Sequence, residues 1–141
     1  MTEEGVCECI LDTAALNQIS KLSGNLRGAC LNKMKKGQAR LAALTWREYK
    51  RAYEDDVAIF DGAISNSIHL RENYKIMAAS IADGMNSALS RGAHDDNVVL
   101  YTAAIAAVHD WQVVTSDAQK AAYKGMGVTV MTVEEWLATN P

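Results

Sequence analysis

Residues 97–117 read NVVLYTAAIAAVHDWQVVTSD. The first half is an apolar, alanine-rich run that predicts a helix. His109 and Asp110 turn the chain. Gln112, Val113 and Val114 then predict a short strand over 112–114, because β-branched residues fit a pleated surface. Thr115, Ser116 and Asp117 close the stretch, and Asp95 and Asp96 stand just before it. The order is helix, turn, strand, with a carboxylate at the start of the helix and another at the end of the strand. In an open α/β sheet, sites collect outside the carboxyl ends of parallel strands. Asp117 marks such an end, and the rest of the chain can be searched for its partners.

The same alternation runs outward from this stretch. A first strand is predicted over 5–11, where Val6, Glu8 and Ile10 alternate with Cys7, Cys9 and Leu11. It ends at Asp12. A helix over 13–22 follows, with apolar residues at 15, 16, 19 and 22 and Asp12 as its N-cap. Ser23-Gly24-Asn25 predicts a turn, 27–36 a short polar helix, and Gly37 the residue after its end. Residues 39–44 are apolar and bounded by turn chemistry, which predicts a second strand. Thr45 and Glu48 have capping-box spacing, in which the carboxylate reaches back to the Thr45 amide. One helix is expected over 46–64 and another over about 68–89, its Met residues serving as core filler. Beyond Asp117 a helix over 118–123, a turn between Gly125 and Gly127, a strand over 128–131 and a helix over 132–137 complete the chain. Thr132 and Glu135 repeat the capping-box spacing. Strands separated by helices predict an α/β fold with a mostly parallel central sheet and right-handed crossovers.

Composition narrows the function classes. The chain has 141 residues, 49% hydrophobic and 22% charged, about one globular domain. A net charge of −3 argues against simple coating of nucleic acid. Lys33, Lys35, Lys36 and Arg40 cluster, as do Arg47, Lys50 and Arg51, and each cluster is read as a solvated helix face. Three cysteines and no basic leader segment point to reduced structural thiols and a cytoplasmic location. Cys7-x-Cys9 lacks the further ligands that zinc needs. No apolar run reaches the roughly 20 residues of a membrane span.

Four carboxylates fall at equivalent places. Asp12 follows strand one, Glu48 opens the helix after strand two, Asp96 (or Asp95) opens the helix before the third strand, and Asp117 follows that strand. Each has a local capping role on its own. Together at one sheet edge they repel, and burying them is costly without a compensating cation. A hard divalent cation with oxygen ligands, Mg²⁺ or Mn²⁺, suits that set. Such a centre neutralises a phosphodiester and lowers the pKa of water. Thr115 and Ser116 can hydrogen-bond a carboxylate or a phosphate.

Ile10-Leu11-Asp12-Thr13, Trp46-Arg47-Glu48, Asp96 before an alanine-rich helix, and Val113-Val114-Thr115-Ser116-Asp117 resemble the PIN domain family. The ending over 128–137 is similar to its last strand and helix. The resemblance covers nearly the whole chain as a single domain. It implies a three-layer α/β/α fold with four to five strands. It also implies a Mg²⁺- or Mn²⁺-dependent ribonuclease, with Asp12, Glu48, Asp96 and Asp117 as both metal ligands and catalytic groups. Thr13, Thr115 and Ser116 are the accessory groups. Many small members are VapC-like toxins, which implies an RNA substrate and an antitoxin partner. In the family the third acid stands about one turn further into its helix, where this chain has Val98 or Val99. Asp95, Asp96 and Asn97 are therefore all candidates for the third ligand. A homodimer is expected through the helical segment over 46–89, whose apolar faces exceed what a small sheet covers.

Two other function classes compete. A catalytically degenerate domain of the same fold would act as an RNA- or protein-binding module. A receiver-like or nucleotide-binding α/β domain is disfavoured, because Asp12-Thr13-Ala14 stands where a glycine-rich phosphate loop would follow strand one.

Overall fold

The computed structural model describes residues 9–60, 62–64, 67–85 and 98–138. Its elements are β1 (Cys9–Leu11), α1 (Thr13–Ser20), α2 (Gly24–Lys35), α3 (Ala43–Ala52), a 3-10 segment (Glu54–Phe60), α4 (Glu72–Met85), α5 (Val98–His109), β2 (Gln112–Thr115), a 3-10 turn (Asp117–Gln119), α6 (Lys120–Gly125), β3 (Val130–Thr132) and α7 (Val133–Ala138). All strand pairs are parallel, in the order β1-β2-β3. Ile10 lies opposite Val113, and Val113 opposite Val130.

Side chains of successive strand residues point to opposite faces, and the core divides accordingly. Ile10 and Val113 join α4 and α5 in one apolar cluster, together with Tyr123 of α6. Cys9, Leu11 and Val114 join α1, α2, α3 and α7 in the other. The sheet is thus a layer between two helical layers. In α5, Ala103, Ala104 and Ala106 are fully buried. Their small side chains let α5 lie close against the sheet and α4, which explains its apolarity on every side.

Four expectations need correction. Among the described residues the sheet has three strands, not four to five. Residues 39–44 form no strand, only isolated parallel bridges, Arg40 to Ile10 and Ala42 to Ile68. The Ala42 carbonyl already accepts from the Trp46 amide at 3.1 Å, so α3 has started and too little chain remains for a ladder. Second, Ala42 is the N-cap of α3, which removes the expected capping box of Thr45 with Glu48. Third, the helix over 46–64 breaks at Tyr53 (φ −134°, ψ 50°). The run Glu54-Asp55-Asp56 begins a separate 3-10 segment, where acids suit the positive end of the peptide dipoles. Its apolar residues still meet, since Phe60 packs edge-on against Tyr49 with centroids 5.4 Å apart. Fourth, the helix expected from about 68 starts at Glu72, because the Ile68 backbone bonds to Leu41 and Ala43. Within α4, Ile76 is 61% exposed although the periodic pattern of the expected helix would place it among the apolar residues.

Smaller shifts follow the same logic. Ser23 caps α2, so Gly24 and Asn25 are its first residues rather than a turn. The expected helix over 118–123 divides into the 3-10 turn and α6. Gly37 and Gly127 adopt φ of +79° and +82°, the left-handed conformation that glycine takes without strain. Cys9 and Cys30 are buried and not disulfide-bonded, and burial pushes the Cys30 thiol up to about 11. Cys7 lies outside the described residues. No helix among them is long and apolar enough to cross a membrane.

Candidate active site

Asp12 is the first residue after β1, and its extended backbone leads straight into α1. Its Oδ1 accepts the Ala15 amide at 2.8 Å, the N-cap bond expected of it. Its Oδ2 accepts two further bonds, from the Thr115 hydroxyl at 2.6 Å and the Tyr123 hydroxyl at 2.8 Å. Thr115 ends β2, the strand beside β1, so parallel pairing brings the two strand ends together. Asp12 as a residue is 2% exposed. Burial pushes its pKa up, and the bonds from Thr115, Ala15 and Tyr123 pull it part of the way back.

Tyr123 is buried in the first cluster and reaches Asp12 from α6. Its hydroxyl is held far above the ordinary phenol range, first by burial and then by the neighbouring Asp12 charge. Glu48 adds to the same field. Tyr123 is therefore a lasting donor, and both carboxylates act on it. Nothing local in the sequence marks it, because its partner lies 111 positions away.

Glu48 is half-buried on α3 and accepts a short hydrogen bond from the Thr13 hydroxyl. Thr13 follows Asp12, so the bond ties α3 to the first turn of α1 beside the carboxyl group. The carboxylate expected to serve its own helix end instead spans two elements. Asp117 opens the 3-10 turn after β2 and is exposed, with Ser116 as that turn's N-cap. Asp95, Asp96 and Asn97 lie outside the described residues, immediately before α5. Among the described residues, no three Asp, Glu, His or Cys side chains come together closely enough to hold a metal ion.

The donor chemistry nevertheless suits a hard cation. Asp12, Glu48 and Asp117 offer only oxygen, the preference of Mg²⁺ and Mn²⁺. An ionised carboxylate accepts at about four positions. Three of those on Asp12 are occupied by Ala15, Thr115 and Tyr123. One position remains, and a nearby cation would offset the cost of burying the charge.

The fold has counterparts among solved structures. The crystal structure of FitAcB from Neisseria gonorrhoeae superposes with a TM-score of 0.56 at 19% identity, over 89% of this chain and 98% of that one. The structure of FitAB bound to the IR36 DNA fragment gives 0.55 at 19% identity, over 94% and 98%. At that identity the likeness speaks for the fold. No family model matches the chain, and no curated protein does.

Proposed function

We propose that this chain is a Mg²⁺- or Mn²⁺-dependent ribonuclease that hydrolyses RNA phosphodiester bonds. Asp12, Glu48 and Asp117, with one of Asp95, Asp96 or Asn97, would hold the ion. The observation that carries the proposal is the buried Asp12 carboxyl group at the end of β1, bonded to Thr115 at the end of β2. The Thr13 bond brings Glu48 to the same edge. A bound cation would supply charge neutralisation at the phosphodiester and an attacking water of lowered pKa. The chain's own groups set the geometry. Thr115 and Tyr123 orient Asp12, Thr13 orients Glu48, and Asp117 stands exposed where a substrate can reach it. A toxin role, an antitoxin partner and a homodimer rest on the resemblance to VapC-like toxins and on the shared fold.

A catalytically inert binding module is the alternative. It is favoured by the near-complete enclosure of Asp12 and by the lack of a three-acid cluster among the described residues.

The deciding experiment is cleavage of a labelled RNA pool with Mn²⁺, Mg²⁺ or EDTA, using wild type, Asp12→Asn and Asp117→Asn. Metal-dependent cutting that both variants lose, while circular dichroism shows them folded, is the expected result. Undiminished cutting in both variants would rule out the assignment. No cutting by any form, together with no Mn²⁺ binding by calorimetry at millimolar concentration, would establish the inert module.

A further inference from the structure

α3 carries a second kind of chemistry beside Glu48. Its inner side is buried at Thr45 and Tyr49. Glu48 is half-buried and tied to Thr13, next to the Asp12 carboxyl group. The exposed residues of the helix are Arg47, Lys50, Arg51 and the terminal Ala52. Residues three and four apart are neighbours on a helix surface. Lys50 and Arg51 therefore follow Arg47 one turn on, and Arg51 also adjoins Glu48. A row of three cations thus borders the carboxylate of the candidate site.

Helix position explains part of this row. Lys50 and Arg51 lie in the last turn of α3, where cations suit the negative end of the helix dipole. Arg47 lies a turn earlier, where that effect has faded. The acids that follow, Glu54, Asp55 and Asp56, belong to the separate 3-10 segment beyond the break at Tyr53. The chain as a whole carries −3, so three cations on one exposed face run against its average.

The row is also partly ordered. Lys50 Nζ sits 5.9 Å from the centre of the Trp46 ring. That ring stacks on Tyr49 with centroids 5.8 Å apart and meets Phe60 edge-on at 6.2 Å. An ammonium held over a fixed indole loses less freedom when a ligand binds.

We propose that this face of α3 binds the phosphate backbone of a single-stranded RNA and leads it to the edge that carries Glu48 and Asp12. Guanidinium presents paired N–H donors that match phosphate oxygens two at a time, so Arg47 and Arg51 each hold a phosphate. Four residues at 1.5 Å of rise set them about 6 Å apart along the helix, and Lys50 adds a point charge between them. A basic track of this kind follows a flexible strand without reading its sequence. The class of ligand rests on the ribonuclease reading, but the contact itself needs neither cleavage nor metal.

Fluorescence anisotropy of a labelled single-stranded RNA with the full chain, in EDTA and across a range of salt concentrations, tests it. The logarithm of the binding constant should fall linearly with the logarithm of salt, by about 0.7 for each phosphate held. Arg47→Gln and Arg51→Gln should each flatten that slope by about 0.7 and weaken binding about fivefold near 0.1 M salt. Lys75→Gln removes the same charge from an exposed position on α4, across the sheet, and should change neither quantity. All three replaced residues are exposed, so the variants are expected to fold, and circular dichroism checks this. An oligoglutamate peptide of equal charge should bind more weakly than the RNA. Four results would overturn the proposal: no RNA binding by wild type, an unchanged slope in both arginine variants, an equal loss in Lys75→Gln, or the peptide bound as tightly as the RNA. The last would point to an acidic protein partner. RNA held through this face by a chain that cuts none with any metal would keep the inference and overturn the nuclease reading. Cutting without such binding would do the reverse.

Discussion

Asp12 has its carboxyl group in a place from which water is nearly excluded. Three donors meet it, but among the described residues no ion pair does. Burial therefore outweighs the hydrogen bonds, and the folded pKa lies above the ordinary 3.8. The folded chain holds a proton that the unfolded chain releases. In metal-free buffer, stability should fall as pH climbs from 3.8 to the folded value, then level off. Asp12→Asn should lack this decline. Its amide oxygen can keep the Ala15 bond, and its amino group can donate to the Thr115 and Tyr123 oxygens once their hydroxyls rotate. Urea denaturation of both proteins across that pH range checks this. Parallel curves would mean that Asp12 titrates as it does in the unfolded chain.

At the scale of elements, the two capping-box spacings had different outcomes. Thr132 and Glu135 form theirs: the Thr132 amide donates to Glu135 at 2.8 Å, and the Glu135 amide to the Thr132 hydroxyl at 3.1 Å. They close the step from β3 into α7, whose Trp136 is buried. Thr132→Ala should cost about 1 kcal/mol of stability in urea denaturation. Lys120→Ala, which removes the exposed pair with Glu135 at 3.4 Å, should cost less than about 0.5 kcal/mol. Thr45 and Glu48 have the same spacing but form no box. Thr45 is drawn into the core, α3 starts at Ala43, three residues earlier than expected, and Glu48 turns to Thr13. Spacing allows a cap, and packing decides where the helix begins.

For the whole molecule, metal binding and folding are linked. A cation that binds only the folded chain stabilises it by about 1.4 kcal/mol at ten times its dissociation constant. That corresponds to a rise of roughly 4 °C in melting temperature for a domain of this size. Mn²⁺ should give such a rise with wild type and none with Asp12→Asn. An equal rise in both would place the ion elsewhere. The two apolar clusters, one on each face of the sheet, make the strand ends a shared boundary. A ligand at that edge touches elements from both layers, which is why it can report on the stability of the whole chain.

The sequence by itself determined the helix–strand alternation, the parallel sheet and the two elements flanking Asp110. Hydrophobic periodicity is a local property, and it survives folding. It also placed Asp12 at the end of β1 and Asp117 at the end of β2, since both follow β-branched or apolar runs. Tertiary structure alone decided that residues 39–44 contribute bridges instead of a strand, because α3 competes for the same backbone groups. It alone brought Tyr123 to Asp12 and Glu48 to Thr13. Those contacts join residues 111 and 35 positions apart. No local pattern encodes them, because they arise only when parallel pairing and the packing of two helical layers bring distant segments together.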